Sequence, residues 1–285
     1  MMLHRRTFLA GVALAASALA QPALAAPAPV GLTYVQAWPS SNLTTHIAAS
    51  IIRQKLHVPV KLTTTSAGPM WAAVASGRSD ALLTAWLPTT HATYWARYKD
   101  QLTDLGPITT GTWLGLAVPK YVPINSLTEL DAAHAKFGNR IVGIEAGAGL
   151  MINTHKAIKD YGMHDMQLLT SSTAAMQAQL ARAVAHKQWI VVTAWKPLGI
   201  WSRFPLKTLD DPKHVYGVSG HIDAVINPAL EKREPRVVEF LRRFKLPLDD
   251  IQAMMVQLDK GVPLGEVTSG WLRAHAAEVG HWTQQ

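Results

Sequence analysis

The sequence of 285 residues contains no cysteine. This absence excludes disulfides, thiolate metal sites and cysteine nucleophiles. Charged residues are also few, at 16%, whereas hydrophobic residues make up 48%, so the chain can bury a large core and is not disordered. Glycine (19) and proline (17) are present in ordinary numbers, which excludes collagen-like and proline-rich chains. The length fits one or two domains.

Local signatures of common enzymes are missing as well. We find no nucleophile elbow, zinc-protease helix, phosphate-binding loop or dinucleotide-binding glycine motif. The 12 histidines lack the short spacing of metal ligands. The sequence therefore predicts no catalytic residue, no metal and no cofactor. Residues distant along the chain can still meet in space, so an enzyme remains an open alternative.

The formal charge is +8, but its distribution does not favour nucleic acid as a partner. Lysines and arginines are scattered, and the densest cluster, residues 232–245, is interrupted by glutamates. Such a mixture is typical of a solvated helix face.

The first 26 residues have the organisation of a secretory signal peptide. The pair Arg5-Arg6 precedes an apolar run over residues 8–20, and cleavage sites of small residues end at Ala20 and Ala25. The run is too short to span a bilayer. The paired arginines resemble a twin-arginine export signal, with an ordinary secretion signal as the alternative. We expect a periplasmic protein with residues 1–26 removed.

Short apolar strands alternate with amphipathic helices along the rest of the chain. Strands are predicted at residues 31–38, 58–64, 80–86, 112–118, 140–145, 189–195 and 221–226, and helices at residues 41–55, 69–76, 149–161 and 173–186, with three more helical pieces after residue 234. This alternation predicts an α/β fold of mostly parallel sheets flanked by helices.

No flexible linker separates two domains, so we expect strands to join them. The candidate crossings are residues 114–119 and 221–227. They divide the chain into a first lobe, residues 27–115 plus 221–285, and a second lobe, residues 116–220. A ligand site in such a protein belongs at the strand ends that face the cleft between the lobes.

Tryptophan is abundant, with 10 residues against 5 phenylalanines. Trp38, Trp86 and Trp195 each end a predicted strand and are each followed closely by a proline. If these strand ends meet at one cleft, three indoles surround one volume; otherwise the rings simply fill the core. Indole faces attract a quaternary ammonium group, which is an apolar cation without N–H donors.

A second anchor is needed, because three cation–π contacts contribute only about 3–6 kcal/mol and micromolar binding needs about 8 kcal/mol. The glycine-rich turn over residues 145–149 lies between a strand and a helix. The backbone N–H groups of Gly149 and Leu150 at the helix start can hold a carboxylate. An ordinary strand-to-helix turn is the alternative.

Several segments resemble the glycine-betaine-binding proteins of ABC importers, in order and over nearly the whole mature chain. They are Ala67-Gly68-Pro69-Met70-Trp71, Ala85-Trp86-Leu87-Pro88-Thr89-Thr90-His91, Gly147-Ala148-Gly149-Leu150-Met151 and Val191-Val192-Thr193-Ala194-Trp195. The resemblance implies the two-lobed periplasmic-binding-protein fold of the type II kind. It also implies a protein that captures a quaternary ammonium solute and delivers it to a membrane permease with its ATPase subunit, and we expect a monomer.

The resemblance assigns the aromatic cage to Trp38, Trp86 and Trp195, and the carboxylate contacts to the backbone of Gly149 and Leu150. It adds His91, either as a polar contact beside the ligand or as a residue that supports the site from behind. A sensor module for a methylated zwitterion is the alternative from the same scaffold. A periplasmic hydrolase that uses His91 with Asp223 or Glu145 is the alternative from another class.

Three segments depart from the family pattern. They are Pro39-Ser40-Ser41 after the first cage residue, Lys196-Pro197-Leu198-Gly199 after the third, and Asp223 near the second crossing. A lysine that points into a cation cage would oppose binding, so Lys196 must face solvent or meet a ligand carboxylate. These departures leave the ligand open among glycine betaine, proline betaine, choline, carnitine and similar solutes.

Overall fold

The computed structural model describes residues 28–284, and the predicted signal peptide therefore lies outside the described residues. The described chain forms nine strands: β1 Val30–Tyr34, β2 Val60–Thr64, β3 Ala81–Leu87, β4 Thr103–Pro119, β5 Arg140–Val142, β6 Gln167–Leu169, β7 Val192–Lys196, β8 Leu206–Thr208 and β9 Gly220–Ile226. It also forms eleven α-helices: α1 Pro39–Lys55, α2 Ala67–Ala75, α3 Ala92–Tyr98, α4 Gly149–Asp160, α5 Thr173–Ala185, α6 Ile200–Arg203, α7 Ala229–Arg233, α8 Pro235–Arg243, α9 Leu248–Asp259, α10 Leu264–Ala274 and α11 Ala276–Thr283.

The strands follow the order β2-β1-β3-β9-β4-β7-β5-β6, and β8 pairs with β4. Pairing is parallel in β1–β2, β1–β3, β5–β6 and β5–β7. In each of these two groups of strands, a helix follows each strand before the next one along the chain begins. It is antiparallel around β4 and β9. The predicted α/β class is confirmed, with antiparallel pairing at the middle of the sheet.

Strand β4 is longer than the sequence pattern predicts. It extends over 17 residues and pairs first with β9 and then with β7 and β8. Its first half contains Gly106 and Gly111, both at positive φ, and the register with β9 shifts around them. These residues are typical of a loop, but β-bulges accommodate them within a paired strand. The chain therefore passes from one part of the sheet to the other along a single strand.

Two hydrophobic clusters stabilise the fold. One contains α1, whose residues Leu43, Ile47 and Ile51 are buried, together with the carboxyl-terminal helices α8 to α11. The other contains the opposite face of the same strands and the helices around β5 to β7. In the helical region predicted after residue 234, Pro247 and Pro263 directly precede α9 and α10. Within the described residues, no helix combines the length and apolarity needed to cross a membrane.

A cavity lined by three tryptophans

A cavity that is partly open to solvent lies where the ends of β3 and β7 meet the starts of α1 and α4. The empty space in it, counted together with the solvent at its mouth, is about 330 Å³. Its lining consists of Trp38, Trp86, Thr90, His91, Leu114, Ile144, Ala148, Gly149, Leu150 and Trp195. All six residues that the sequence singles out are in this set. None of the lining side chains is an aspartate, glutamate, lysine or arginine.

The three indoles reach the cavity from three different elements. Trp86 and Trp195 are the penultimate residues of β3 and β7. Trp38 does not end the first strand, as the sequence pattern predicts. It lies four residues beyond β1, directly before Pro39, the first residue of α1. Proline is favoured at this helix position because the missing N–H would have had no partner there. Trp38 thus lines the cavity from the start of α1.

The register between β4 and β7 separates Trp195 from the lysine that follows it. Leu114 pairs with Trp195, and both line the cavity. Successive side chains alternate across a strand, so the next pair, Trp113 and Lys196, projects to the other face. There the Lys196 ammonium lies 5.9 Å from the Trp113 ring and 5.0 Å from the Trp201 ring. Lys196 is thus directed away from the cavity.

Trp201 also contacts the backbone of Trp195. Its Nε1–H donates a hydrogen bond of 2.6 Å to the Trp195 carbonyl oxygen. This bond restrains the end of β7, where the indole that lines the cavity is attached.

His91 supports Trp86 from behind. The ring Nδ1 of His91 accepts a hydrogen bond of 3.1 Å from the Trp86 backbone N–H. The backbone N–H of His91 donates a hydrogen bond of 2.8 Å to the Trp86 carbonyl oxygen. Complete burial lowers the pKa of His91 to about 3, so the ring is neutral at physiological pH. Because Nδ1 accepts a hydrogen bond, Nε2 carries the ring proton. Trp71 is fully buried, and its ring contacts the His91 ring edge-on.

The glycine-rich turn is closely packed against the loop that precedes α3. A Cβ atom built on Gly149 would lie 1.9 Å from the Thr90 carbonyl oxygen, so only glycine fits at this position. The N–H groups of Gly149 and Leu150 begin α4 and donate to no described residue. They are the positive end of a helix of 12 residues. The buried Nε1–H of Trp38 has no partner among the described residues either.

The acidic residues of the hydrolase alternative bind other partners. Both carboxylate oxygens of Glu145 accept hydrogen bonds from Thr173, at 2.8 Å and 2.9 Å. Asp223 bonds His221 at 2.5 Å, and burial raises the pKa of Asp223 to about 6 despite the opposing hydrogen bond from His221. Neither acid lines the cavity. Among the described residues, neither Glu145 nor Asp223 is therefore a hydrogen-bond partner of His91.

Sequence reasoning did not identify four of the lining residues, Thr90, Leu114, Ile144 and Ala148. Thr90 and Ala148 directly precede His91 and Gly149, so their sequence positions beside predicted residues could have indicated that they line the cavity. Leu114 and Ile144 are apolar residues near strand ends, and only the pairing between strands determines that they face the cavity.

A mixed sheet flanked by helices, with a cavity lined by aromatic rings at its strand ends, is typical of the class of two-lobed solute-binding proteins. Two solved structures support this assignment. Lactococcal OpuAC in its closed form with glycine betaine has a TM-score of 0.84 and 32% identity, over 90% of this chain and 99% of that one. The ProX glycine betaine/L-proline-binding protein from Borrelia burgdorferi has a TM-score of 0.86 and 29% identity, over 90% and 97%. The predicted two-lobed fold is thereby confirmed.

The family itself follows from residues 28–274, which match the substrate binding domain of ABC-type glycine betaine transport systems. The chain belongs to this family, as its motifs predicted. The glycine betaine/carnitine transport binding protein GbuC of Listeria monocytogenes serotype 1/2a (strain 10403S) is 40% identical over 145 residues, which are 50% of this chain and 48% of that protein. The match thus spans about half the length of this relative. The members are substrate-binding components of transporters rather than enzymes.

Proposed function

We propose that this protein captures glycine betaine or a closely related methylated zwitterion and delivers it to an ABC importer. The observation that carries the proposal is the lining of the cavity. Three indoles and two unpartnered helix N–H groups, those of Gly149 and Leu150, surround one volume. The indole faces of Trp38, Trp86 and Trp195 suit a trimethylammonium group, and the N–H groups suit a carboxylate.

The electrostatics of the lining favour a zwitterion over a simple cation such as choline. No acidic side chain is present to neutralise a net positive ligand, and His91 is uncharged. Three donors lack a partner among the described residues: the N–H groups of Gly149 and Leu150 and the buried indole N–H of Trp38. Donors without partners in a buried site require a ligand that brings acceptors, and a carboxylate brings two oxygens.

The cation–π contacts and the hydrogen bonds to a carboxylate together give a stronger binding free energy than either set alone. Cation–π contacts contribute on the order of 1–2 kcal/mol for each desolvated ring. Hydrogen bonds to a charged carboxylate add roughly 1.5–3 kcal/mol each. Each set alone gives about 3–6 kcal/mol and both together give about 6–12 kcal/mol, before the cost of association. Selectivity for molecules that carry both groups follows.

The arrangement of the chain also suits capture by closure. In the proposed division, residues 27–115 and 221–285 form the first lobe and residues 116–220 the second. Trp38 and Trp86 then belong to the first lobe, and Trp195, Gly149 and Leu150 to the second. Because the cage is complete only when the lobes meet, a bound ligand stabilises the closed form. We further propose a monomer in the periplasm, exported by its amino-terminal signal and recognised by a permease when closed.

The test is calorimetric titration of the mature protein with three solutes of similar size. Glycine betaine carries both groups, choline lacks the carboxylate, and 3,3-dimethylbutanoate replaces the ammonium nitrogen by carbon. We expect glycine betaine to bind at least about tenfold more tightly than either analogue, since each analogue forfeits one anchor. Equal affinity for choline and glycine betaine would contradict the role of Gly149 and Leu150, and no binding of any of them would contradict the proposed function.

A further inference from the structure

Tyr94 of α3 reaches across the cleft to the glycine-rich turn. Its hydroxyl donates a hydrogen bond of 2.6 Å to the carbonyl oxygen of Gly147, which is 53 residues away in sequence. In the proposed division of the chain, the donor belongs to the first lobe and the acceptor to the second. Tyr94 itself does not line the cavity.

The ring of Tyr94 is held in place on its own side of the cleft. It stacks on Trp71, with ring centroids 6.2 Å apart and an interplanar angle of 15°. The His91 ring contacts it edge-on at 5.7 Å. Partial burial raises the pKa of Tyr94 above its ordinary value, so the hydroxyl keeps its proton at neutral pH. A rigid donor loses little entropy when it forms a hydrogen bond.

The acceptor lies in the turn that carries the proposed carboxylate contacts. Gly147 has a φ of +83°, a conformation that favours glycine, and the N–H of Ala148 donates to the Glu145 carbonyl at 3.2 Å. The Glu145 carboxylate in turn binds Thr173 at the start of α5. A bond to the Gly147 carbonyl therefore fixes the turn, and with it Gly149, relative to the opposite lobe.

We propose that Tyr94 is a positioning residue that closes the cleft over the ligand: its hydroxyl bonds Gly147 only when the lobes meet, and thereby slows ligand release. This inference rests on the proposed function for the identity of the ligand. The hydrogen bond between Tyr94 and Gly147 does not depend on it. The hydrogen bond forms whenever the lobes close, with or without ligand, so it stabilises the closed form more than the encounter step. Its loss should raise the rate of dissociation and leave the rate of association nearly unchanged.

The experiment compares Tyr94→Phe with the wild type in stopped-flow binding of glycine betaine. We expect dissociation to accelerate about three- to tenfold, the effect of losing one neutral hydrogen bond, and association to change less than about twofold. Tyr98→Phe is the matched control, because Tyr98 lies on the same helix and its hydroxyl forms no hydrogen bond within the described residues. That variant should behave as the wild type.

A second measurement needs no ligand. Because the chain lacks cysteine, Gln54→Cys and Lys159→Cys place two fluorophores at exposed positions in the two proposed lobes. The Tyr94→Phe protein should give a lower energy transfer, and hence a more open average form, than its parent in the absence of solute. Unchanged dissociation together with unchanged energy transfer would overturn the role of Tyr94. If no methylated solute binds the wild type, the proposed function fails, and the energy transfer still decides the role of Tyr94.

Discussion

Replacing Trp195 with leucine tests the cation–π interaction separately from apolar contact. Trp195 is only 4% exposed, so alanine would leave a void and cost roughly 3–5 kcal/mol of folding stability. Leucine fills more of that space but has no π face. For glycine betaine we expect a loss of about 1–2 kcal/mol, or about 5- to 30-fold in affinity. Phenylalanine, which keeps a weaker aromatic face, should give an intermediate loss.

The assay is a comparison of two proteins and two ligands by titration calorimetry. Wild type and Trp195→Leu are each titrated with glycine betaine and with 3,3-dimethylbutanoate, whose central carbon carries no charge. The difference between the two losses isolates the interaction of the positive charge with the indole, which we expect to be on the order of 1–2 kcal/mol. Trp189→Leu serves as the control, because Trp189 packs on Phe137 at a centroid distance of 5.3 Å and does not line the cavity.

Two results would refute this reasoning. Equal weakening of both ligands would mean that Trp195 supplies apolar contact but no charge interaction. Unchanged affinity for both would mean that the indole does not touch the ligand. Thermal melting of each variant verifies that the fold survives the substitution.

Three further predictions concern the surroundings of the cage. The pKa of His91 falls from 6.5 to about 3 on folding, so the wild type should lose on the order of 2 kcal/mol of unfolding free energy between pH 7 and pH 5 through this residue. In urea titrations, His91→Gln should lose less unfolding free energy than the wild type between pH 7 and pH 5, because glutamine does not titrate. An equal loss in both proteins would contradict the assignment of this loss to His91. Gly149→Ala should weaken glycine betaine binding by at least about 100-fold, because its Cβ meets the Thr90 carbonyl and blocks closure. The control in calorimetry is Gly280→Ala, because a Cβ atom at position 280 meets open space. Tight binding by the Gly149→Ala variant would show that close packing is not why position 149 holds glycine. Lys196→Met should leave affinity within about twofold, since the lysine projects away from the cavity; a large gain would place its charge near the ligand.

The residues of the site could be predicted from the sequence because most of them occupy local motifs. Trp86 and Trp195 lie near the ends of short apolar strands, Gly147 precedes α4 and Gly149 begins it. Strand ends and helix starts of this kind can be recognised from composition alone. Trp38 was assigned to a strand end, although Pro39 is a helix-start signal, and the structure places it at the helix start.

Other features depend on contacts between distant segments and carry no local signal. The first half of β4 contains Gly106, Pro107 and Gly111, which favour a loop unless β9 pairs with it. Leu114 faces the cavity only because of its register with Trp195. The bond from Tyr94 to Gly147 joins residues that no spacing rule connects. Pairing between strands and packing between lobes, which decide these cases, are properties of the whole chain.

The alternation along β7 has a consequence for how the protein tolerates insertions. Trp195 and Lys196 are adjacent, and hydrogen bonding to β4 decides which of them enters the cavity. Shifting the alignment of β7 by one position would exchange them, so that an ammonium group would occupy the place of an aromatic ring. The proposed site for the methylated ammonium group would then repel that group while every strand remained intact. Lengthening or shortening the chain by one residue just ahead of β7 should therefore abolish function far more readily than it unfolds the protein.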